Sequence, residues 1–556
     1  MTPAESANGS SGPIIHDAEY YILDAQHGER WAAEDNDLDT RLAALKEKFR
    51  TPPNIIHVMW DDTPVGDVGI PALQKVRGYE TPNMNRMAAE GINFMRMYSE
   101  PSCTPTRAAC LTGRHPVRNG MHTAGVPFEY GGLPSAESTM GQVLSDAGYA
   151  TAFYGKAHLG DIESGYLTER GFDEALWMPY NQLTSLYNPM AQMMGLTPGV
   201  LHPEMFPPDP YDIDTGWRPK GFVFALEGIK GGPVTEFGAA PDHNDYMKIE
   251  GECQKRTMAF IRNNAAAKKP FYCAYWPVGT SFLGFPNRVT SNGALLPEAL
   301  ARIDRFIGEL MAELTRLEIA ENTLVLIMAD NGPMTHETNA GTGFNATLYR
   351  GGKGDYLEGA VRVPALAWWP GTINPGQAVG DIIHATDLFT TFARLGGATD
   401  NIPTDRVIDG VDQTALLLNG DTHSRRDYVY IYTGPILAAT VKGRYKRVWV
   451  GDNPGLSGAM FYDLYNDTRE EKGIMVPMFP AKGMFNMMKA RHELWMERYP
   501  NTPEERHWPL TGITDARAET TNAGQPRVDL TKLPFDPMDF LGRLPDWEGV
   551  EFDREG

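Results

Sequence analysis

The sequence predicts an α/β protein in which buried parallel strands alternate with helices. Short apolar runs of the kind found in buried parallel strands occur at 54–60, 150–154, 269–277 and 323–329. Stretches with helical character lie between or after them, at 84–90, 138–147, 245–263, 296–317 and 382–396. Polar residues follow three of these runs directly, and open parallel sheets bind ligands at the carboxyl ends of their strands. We therefore expect a functional site at that edge of the sheet.

Length and composition limit the class of protein. The chain has 556 residues, of which 42% are hydrophobic, so it can bury a large core in two or more domains. Its net charge of −21 argues against nucleic acid or an anionic membrane as a partner. No apolar run is long enough to span a bilayer, no secretory signal is visible, and the four cysteines form no CxxC pair. We expect a cytoplasmic protein, or a periplasmic one if a leader precedes this sequence.

Composition divides the chain into four parts. We predict an N-terminal arm (1–50) that is helical near 42–49, a main α/β domain (51–425), a small C-terminal subdomain (426–480) and an irregular tail (481–556). Strands at 428–432, 438–450 and 460–465 predict a small antiparallel sheet in the subdomain. A helix near 484–498 precedes a proline-rich end, which we expect to wrap its own domain or a neighbouring subunit of a homo-oligomer.

The segment 101–114, PSCTPTRAACLTGR, predicts a loop that leads into a helix. Thr104 or Thr106 can cap the helix, Pro105 suits its first position, and Gly113 ends it. Cys103 would then lie just before a helix N-terminus, where backbone N–H groups favour an anion. The alternative for a lone cysteine is a buried, inert side chain.

Two acidic pairs follow predicted strands. Asp61 and Asp62 come after the first strand, and adjacent carboxylates repel each other unless a hard cation binds both. Asp330 and Asn331 follow the strand at 323–329. Both segments are also ordinary turn sequences, which is the alternative to a metal site.

Basic residues complete the candidate site. Lys156 and His158 alternate with Ala157, so in an extended segment both would point the same way, towards an anion and its proton. Lys353 lies within Gly351-Gly352-Lys353-Gly354, where the glycines allow the backbone to approach a site. Exposed turns are the alternative for both segments.

Four segments together resemble one family. Cys-x-Pro-x-Arg followed by Leu-Thr-Gly-Arg resembles the signature of the type I sulfatases of the alkaline-phosphatase-like superfamily, and Gly-Lys-x-His at 155–158 resembles their second signature. The segments 330–332 and 351–365 resemble two further blocks, in the family's order, over roughly residues 53–370. Cys110 and Ala157 depart from the bulkier residues that the family usually has.

The resemblance implies a fold and an activity. The implied fold is alkaline-phosphatase-like: a large mixed, mostly parallel sheet sandwiched by helices, with a small C-terminal α+β subdomain that carries an antiparallel sheet. The implied activity is hydrolysis of a small-molecule sulfate monoester. A formylglycine-generating enzyme would oxidise Cys103 to formylglycine (3-oxoalanine), whose hydrated aldehyde is the nucleophile.

The resemblance also implies residue roles. The ion, Ca²⁺ with Mg²⁺ or Mn²⁺ as alternatives, would be bound by these residues: Asp61, Asp62, Asp330, Asn331 and the modified Cys103. Arg107 would help to activate the nucleophile, and Lys156, His158 and Lys353 would neutralise the sulfuryl oxygens. His158 would also be the base that expels sulfate.

One family feature is missing. Sulfatases usually have a Pro-His pair after the strand at 269–277, and that histidine protonates the leaving group, whereas this chain has Phe282 near the position. We therefore expect a preference for aryl or otherwise activated sulfates. Lys353 is the best remaining acid, provided that neighbouring cations lower its pKa. A phosphodiester or phosphonate monoester hydrolase and an inactive anion-binding relative remain alternatives.

Overall fold

A computed structural model describes the following residues: 12–125, 131–181, 225–237, 243–277, 295–334, 348–420, 422–450, 460–474 and 479–506. Phe282 and the chain beyond residue 506 lie outside the described residues, as does much of the segment 182–242.

The described helices, numbered in chain order, are α1 (Ala18–Phe49), α2 (Pro71–Arg77), α3 (Pro82–Glu90), α4 (Cys103–Thr112), α5 (Met140–Asp146), α6 (His243–Ala267), α7 (Leu295–Arg316), α8 (Glu358–Val361), α9 (Asp387–Leu395), α10 (Thr414–Asn419) and α11 (Phe479–Arg498). No helix among the described residues is both long enough and apolar enough to cross a membrane.

The strands of the largest sheet are β1 (Asn54–Trp60), β2 (Ile92–Phe94), β5 (Ala150–Lys156), β6 (Glu174–Met178), β7 (Ala225–Ile229), β8 (Thr235–Phe237), β9 (Phe271–Trp276), β10 (Thr323–Ala329), β12 (Ala365–Trp368) and β13 (Gln377–Val379). The strands of the smaller sheets are β3 (Met97–Tyr98), β4 (Gly131–Gly132), β11 (Arg362–Val363), β14 (Ile383–His384), β15 (Tyr428–Thr433), β16 (Ile436–Lys442), β17 (Tyr445–Val448), β18 (Met460–Asp463) and β19 (Glu505–Arg506).

The largest sheet has ten strands in the order β13-β2-β12-β10-β1-β9-β5-β6-β7-β8. Its five central strands, β10 to β6, are parallel, and antiparallel pairs flank them. Strands β1, β9 and β10 are buried along their whole length, as expected for central parallel strands covered on both faces. This arrangement confirms the predicted fold class, a mixed and mostly parallel sheet within an α/β protein.

The small antiparallel sheet is also confirmed, with one difference in its strands. The segment 438–450, predicted as a single strand, is a hairpin of β16 and β17 that turns at Gly443, where φ is 57°. Glycine accepts this left-handed conformation without steric cost. The four strands pair in the order β15-β16-β17-β18.

Two other elements differ from the prediction. The N-terminal helix α1 covers 32 residues rather than only 42–49, and it buries Leu23, Trp31 and Leu38. The segment predicted as a helix from 382 begins as strand β14, because Ile383 and His384 pair with β3, and helix α9 starts at Asp387. The division into an arm, two domains and a tail remains a prediction.

Candidate active site and metal centre

The two acidic pairs meet at the carboxyl edge of the central strands. Strands β1 and β10 are parallel and in register, with Trp60 opposite Ala329, so Asp61 and Asp330 follow at the same level. The backbone N–H of Asp62 donates to Oδ1 of Asp330 over 3.2 Å. Asp62 has a φ of 50°, a left-handed conformation that aspartate tolerates better than most residues. The chain therefore turns sharply here and brings three carboxylates together.

Cys103 joins these carboxylates from the start of helix α4. Ser102 is the N-cap in extended conformation, Cys103 is the first helical residue, and Gly113 ends the helix with a φ of 68°. The expected caps, Thr104 and Thr106, lie inside the helix instead. The thiol is buried, with 1% of the residue exposed.

Four ligand atoms, one each from Asp61, Asp62, Cys103 and Asp330, lie within 4.8 Å of one another. Asn331 lies beside them, and its side-chain N–H donates to Oδ1 of Asp62 over 2.7 Å. The Oδ1 atom of Asn331 is buried and has no hydrogen-bond partner among the described residues. An orphaned buried oxygen next to three carboxylates is the donor set that a hard divalent cation requires. The residues present therefore fit the predicted ion.

Arg107 lies behind the carboxylates, one turn along helix α4 from Cys103. Its guanidinium donates to Oδ2 of Asp330 over 2.8 and 3.1 Å and to Oδ1 of Asp61 over 3.2 Å. It also donates to the main-chain carbonyl of Lys156 over 2.5 Å and lies 5.2 Å from the ring centre of Trp276. This buried side chain fixes the relative positions of helix α4, β1, β5 and β10.

Two lysines reach the cluster from other elements. Lys156, the last residue of β5, is buried and donates to Oδ1 of Asp61. Lys353 lies 2.7 Å from Oδ1 of Asp62 and 2.7 Å from Sγ of Cys103 through its Nζ atom. The Lys353 loop is tied to the Cys103 loop because the N–H of Gly354 donates to the carbonyl of Pro101 over 2.7 Å.

Close packing of the backbone positions Lys156. Gly155 has a φ of 115°, and a Cβ atom there would lie 1.9 Å from the carbonyl oxygen of Trp276. Only glycine therefore allows β5 to approach β9 this closely at its carboxyl end.

His158 does not continue the extended conformation of β5, contrary to the sequence-based expectation. Its φ is 54°, and its Nε2 lies 2.8 Å from the carbonyl oxygen of Gly125. Burial and the neighbouring Lys156 hold the pKa of His158 well below its usual value, so the ring is neutral. Nε2–H must then donate to the carbonyl, which leaves the lone pair on Nδ1. That atom is buried and has no hydrogen-bond partner among the described residues.

The pKa values of the site reflect burial against strong opposing charges. Burial would raise the pKa of Asp61, but Lys156 and Arg107 lower it well below its usual range. Burial and the Asp61 carboxylate raise the pKa of Asp330 to about 6. Burial and Asp330 raise the pKa of the Cys103 thiol to about 12, so an unmodified Cys103 is a neutral thiol and a poor nucleophile.

Lys353 contradicts one expectation from the sequence. Neighbouring cations were expected to lower its pKa and make it an acid near neutrality. Burial does favour a lower value, but Asp62 and the Cys103 sulfur oppose it and raise the pKa of Lys353 well above 10.5. The carboxylates lie closer to Lys353 than the cations do, and sequence spacing does not show this.

The structure thus brings the predicted site residues together at one edge of the sheet. Cys110 is buried in helix α4 and packs in the hydrophobic core. Trp276, against which Arg107 packs, was not anticipated as part of the site, although its place at the end of a buried strand was visible in the sequence. A cavity of about 40 Å³ lies beside the site and is bordered by Thr104, His158 and Tyr180.

Comparisons with known proteins indicate the family of this chain. The family model "Sulfatase" matches residues 53–213 and 236–398. The N-acetylgalactosamine-6-sulfatase of Canis lupus familiaris is 33% identical over 416 residues, covering 72% of this chain and 73% of the relative. The steryl-sulfatase of Rattus norvegicus is 31% identical, covering 81% of this chain and 90% of the relative. The crystal structure of the PsFucS1 sulfatase from Pseudoalteromonas sp. superposes with a TM-score of 0.73 at 28% identity, covering 85% of this chain and 96% of that one.

The chain belongs to the sulfatase family, whose fold is alkaline-phosphatase-like. It is accordingly a hydrolase of sulfate esters, and the carboxylate and cysteine cluster at the edge of its sheet is a possible metal-binding site.

Proposed function

We propose that this enzyme hydrolyses sulfate monoesters with a nucleophile derived from Cys103, which a formylglycine-generating enzyme oxidises to an aldehyde. The observation that carries the proposal is the position of the Cys103 sulfur, within 4.8 Å of the carboxylate ligand atoms and 2.7 Å from Nζ of Lys353. The thiol itself is held neutral there, since burial and Asp330 raise its pKa to about 12. A hydrated aldehyde at the same place would present two hydroxyl groups to the site.

The bound ion in this proposal is a hard dication, Ca²⁺ with Mg²⁺ or Mn²⁺ as alternatives, because every ligand is an oxygen donor once Cys103 is modified. Its ligands would be these residues: Asp61, Asp62, Asp330, Asn331 and the modified residue 103. When bound, the ion would supply positive charge that lowers the pKa of the hydrate hydroxyl. The same charge would stabilise the negative charge that develops on the sulfuryl oxygens.

The side chains of the chain then have distinct tasks. Arg107 fixes Asp61 and Asp330 through its hydrogen bonds, so that these ligands keep their geometry without solvent. Lys353 contacts the Cys103 sulfur, whose place an oxygen of the hydrate would take after modification, and can also donate to a sulfuryl oxygen. Lys156 is the second cation on this side of the sulfate.

His158 serves as the base in the second half of the reaction. One hydroxyl of the hydrate loses its proton to water and its oxygen attacks sulfur, while the S–O bond to the leaving group breaks. The alkoxide or phenoxide leaves with the electron pair of that bond and takes up a proton from water. The second hydroxyl then transfers its proton to Nδ1 of His158, the C–O bond to sulfate breaks, and the aldehyde is regenerated. The hydrogen bond from Nε2 to Gly125 suits this task because it leaves the Nδ1 lone pair available.

We further propose that the leaving groups are aryl or otherwise activated. With a pKa well above 10.5, Lys353 is a strong donor of charge-assisted hydrogen bonds but a weak acid. Poor leaving groups would therefore depart slowly unless a residue outside the described ranges protonates them. A homo-oligomer formed through the C-terminal tail remains part of the proposal.

The test is a panel of matched esters, measured as kcat/KM. It contains substituted phenyl sulfates, the corresponding phenyl phosphates and phosphonate monoesters, a steryl sulfate and a 6-sulfated amino sugar. We expect phenyl sulfates to be hydrolysed faster than their phosphorus analogues. Faster hydrolysis of the phosphonate monoesters would reverse the assignment, and no turnover of any ester by protein with a modified residue 103 would indicate an anion-binding relative.

A further inference from the structure

A second group of histidine and carboxylate side chains lies next to helix α4. Glu100 precedes the helix, His115 follows it, and His384 ends strand β14. Nδ1 of His115 lies 2.7 Å and Nε2 of His384 3.8 Å from Oε1 of Glu100, and the three ligand atoms all lie within 4.8 Å of one another. All three side chains are at most 2% exposed.

Hydrogen bonds do not give every polar atom of this group a partner. Nδ1 of His384 accepts from the backbone N–H of Thr386 over 3.2 Å, which places the proton of a neutral ring on Nε2. Nε2 is buried and has no hydrogen-bond partner among the described residues, because Glu100 is 3.8 Å away. An N–H group buried without an acceptor destabilises the folded state.

A bound metal ion would give Nε2 a partner. With a metal ion on Nε2, the ring would carry its proton on Nδ1, which would donate to Oγ1 of Thr386 over 2.9 Å instead of accepting from the backbone N–H of Thr386. A hydrogen bond of this kind fixes the orientation of a metal-bound imidazole. Two ligands on one tetrahedral zinc, each about 2.0–2.1 Å from the metal, lie roughly 3.3 Å apart. The observed contacts of 2.7 and 3.8 Å to Glu100 lie on either side of that value.

The ligand types differ from those of the catalytic cluster. Two imidazoles and one carboxylate favour zinc or another first-row transition ion, whereas the all-oxygen catalytic set favours calcium. The surroundings also position the ligands. The backbone N–H of His115 donates to Asp409 over 2.7 Å, and the hydroxyl of Thr106 both donates to the carbonyl and accepts from the N–H of Glu100.

We propose that Glu100, His115 and His384 form a second metal site, which binds a transition dication such as Zn²⁺. The ion would join the segments before and after helix α4 to strand β14. Because Cys103 is the first residue of that helix, the site would position the nucleophile without contacting the substrate. The assignment does not depend on the substrate or on the modification of Cys103.

The test measures zinc bound to the full-length, calcium-loaded protein. Wild-type protein, His115→Ala and His384→Ala are dialysed against Zn²⁺, freed of excess metal and analysed by elemental mass spectrometry. His423→Ala is the matched control, since His423 makes a similar contact with Asp381 on an exposed part of the surface. We expect one zinc per chain in the wild type and the control, and at least about a 10–100-fold loss of affinity in the two cluster variants.

Two further measurements keep the outcome decisive if a cluster variant fails to fold. Asp330→Asn, which alters only the catalytic cluster, should retain the zinc. X-ray absorption at the zinc edge of the wild-type protein should show two imidazole nitrogens in the first coordination shell. Folded wild-type protein without tightly bound zinc, or with zinc bound by oxygen alone, would overturn the proposal and leave a hydrogen-bonded cluster. Zinc retained by folded His384→Ala would also overturn it.

Discussion

Two buried charged clusters lie at the two ends of the segment that contains Lys353 and helix α8, and they differ in how their charges are matched. In the subdomain cluster, Lys446 contacts Glu358 over 3.1 Å and Glu470 over 2.8 Å, and Arg362 contacts Glu358 over 3.1 Å. The hydroxyl of Tyr98 completes it by donating to Glu358 over 2.8 Å. Two carboxylates thus meet two cations and a hydroxyl.

The proposed catalytic cluster also has matched formal charges, with three carboxylates (Asp61, Asp62 and Asp330) and three cations (Arg107, Lys156 and Lys353), but its atoms are arranged differently. Its oxygens converge on one point beside the Cys103 sulfur, and the amide oxygen of Asn331 adds an acceptor that no described donor reaches. Buried charge alone therefore does not indicate chemistry. Convergent acceptors next to a nucleophile do, because they provide a place for an ion and a substrate.

The largest expected effect is that of removing the nucleophile. Cys103→Ala should lower kcat by at least about 10⁴-fold, the scale seen when a nucleophile is lost. The thermal midpoint should stay close to that of the wild type, because the side chain is small and the other four proposed metal ligands remain. If Cys103→Ala hydrolysed sulfate esters at the wild-type rate, residue 103 would not supply the nucleophile.

A smaller loss is expected from altering a metal ligand. Asp330→Asn keeps the size of the side chain but removes one of three ligand charges and the ion pair with Arg107. We expect kcat to fall by about 10²–10³-fold and calcium affinity, measured by calorimetry, to fall with it. Unchanged activity of this variant after exhaustive chelation would exclude a catalytic ion.

The same carboxylate predicts how calcium affinity depends on pH. In the ion-free protein the pKa of Asp330 is raised from 3.8 to about 6, so below that pH the group holds a proton that must leave before calcium binds. Because this pKa is higher in the folded protein, protonated Asp330 contributes to the stability of the ion-free protein at low pH. That contribution is lost as the pH rises from about 4 to 6. Calcium affinity should fall by about tenfold per pH unit below 6 and level off above it. A similar slope in Asp330→Asn would contradict the assignment.

Lys353 should show an effect that depends on the substrate. Lys353→Ala removes a donor of charge-assisted hydrogen bonds rather than a general acid. Because a more basic departing oxygen gains more from such a bond, we expect about a 10²-fold loss with poor leaving groups and less with acidic phenols. The measurement is the dependence of log kcat/KM on leaving-group pKa for substituted phenyl sulfates, with both proteins. A flat dependence in the wild type would show that another acid replaces the missing histidine.

The smallest effect on chemistry is expected from the subdomain cluster. Lys446→Met leaves two buried carboxylates without their shared cation and should lower the free energy of unfolding by about 3–5 kcal/mol. Its kcat at a temperature where the protein is folded should stay within about twofold, a change of less than 1 kcal/mol in the barrier. A large loss of kcat in folded protein would mean that the two clusters are coupled.

The sequence predicted which residues meet at the carboxyl edge of the sheet, because each of them follows a buried strand or lies in a recognisable segment. Asp61 and Asp330 come from adjacent parallel strands in register, so the ends of the strands fix their neighbourhood. The prediction of the helix cap was wrong because it assumed that Pro105 is the first helical residue, whereas the helix begins at Cys103. Proline is equally tolerated later in the first turn, where the N–H groups have no partner within the helix.

Other features were not visible in the sequence for physical reasons. Helix α1 is acidic and only weakly amphipathic, and contacts distant in sequence help to hold it, such as the ion pairs of Arg425 with Glu34 and Asp35. The Glu100, His115 and His384 group joins residues up to 284 positions apart, from 100 to 384, and no local pattern indicates that distance. The raised pKa of Lys353 likewise depends on which charges are nearest in space.

The most direct test of the account is the mass of the tryptic peptide that spans residues 97–107, taken from active enzyme. We predict a peptide lighter than the one with unmodified cysteine, which also reacts with a hydrazide reagent as an aldehyde does. The fraction of modified peptide should rise in proportion to kcat across preparations. Fully active enzyme in which this peptide contains only unmodified cysteine would contradict the account.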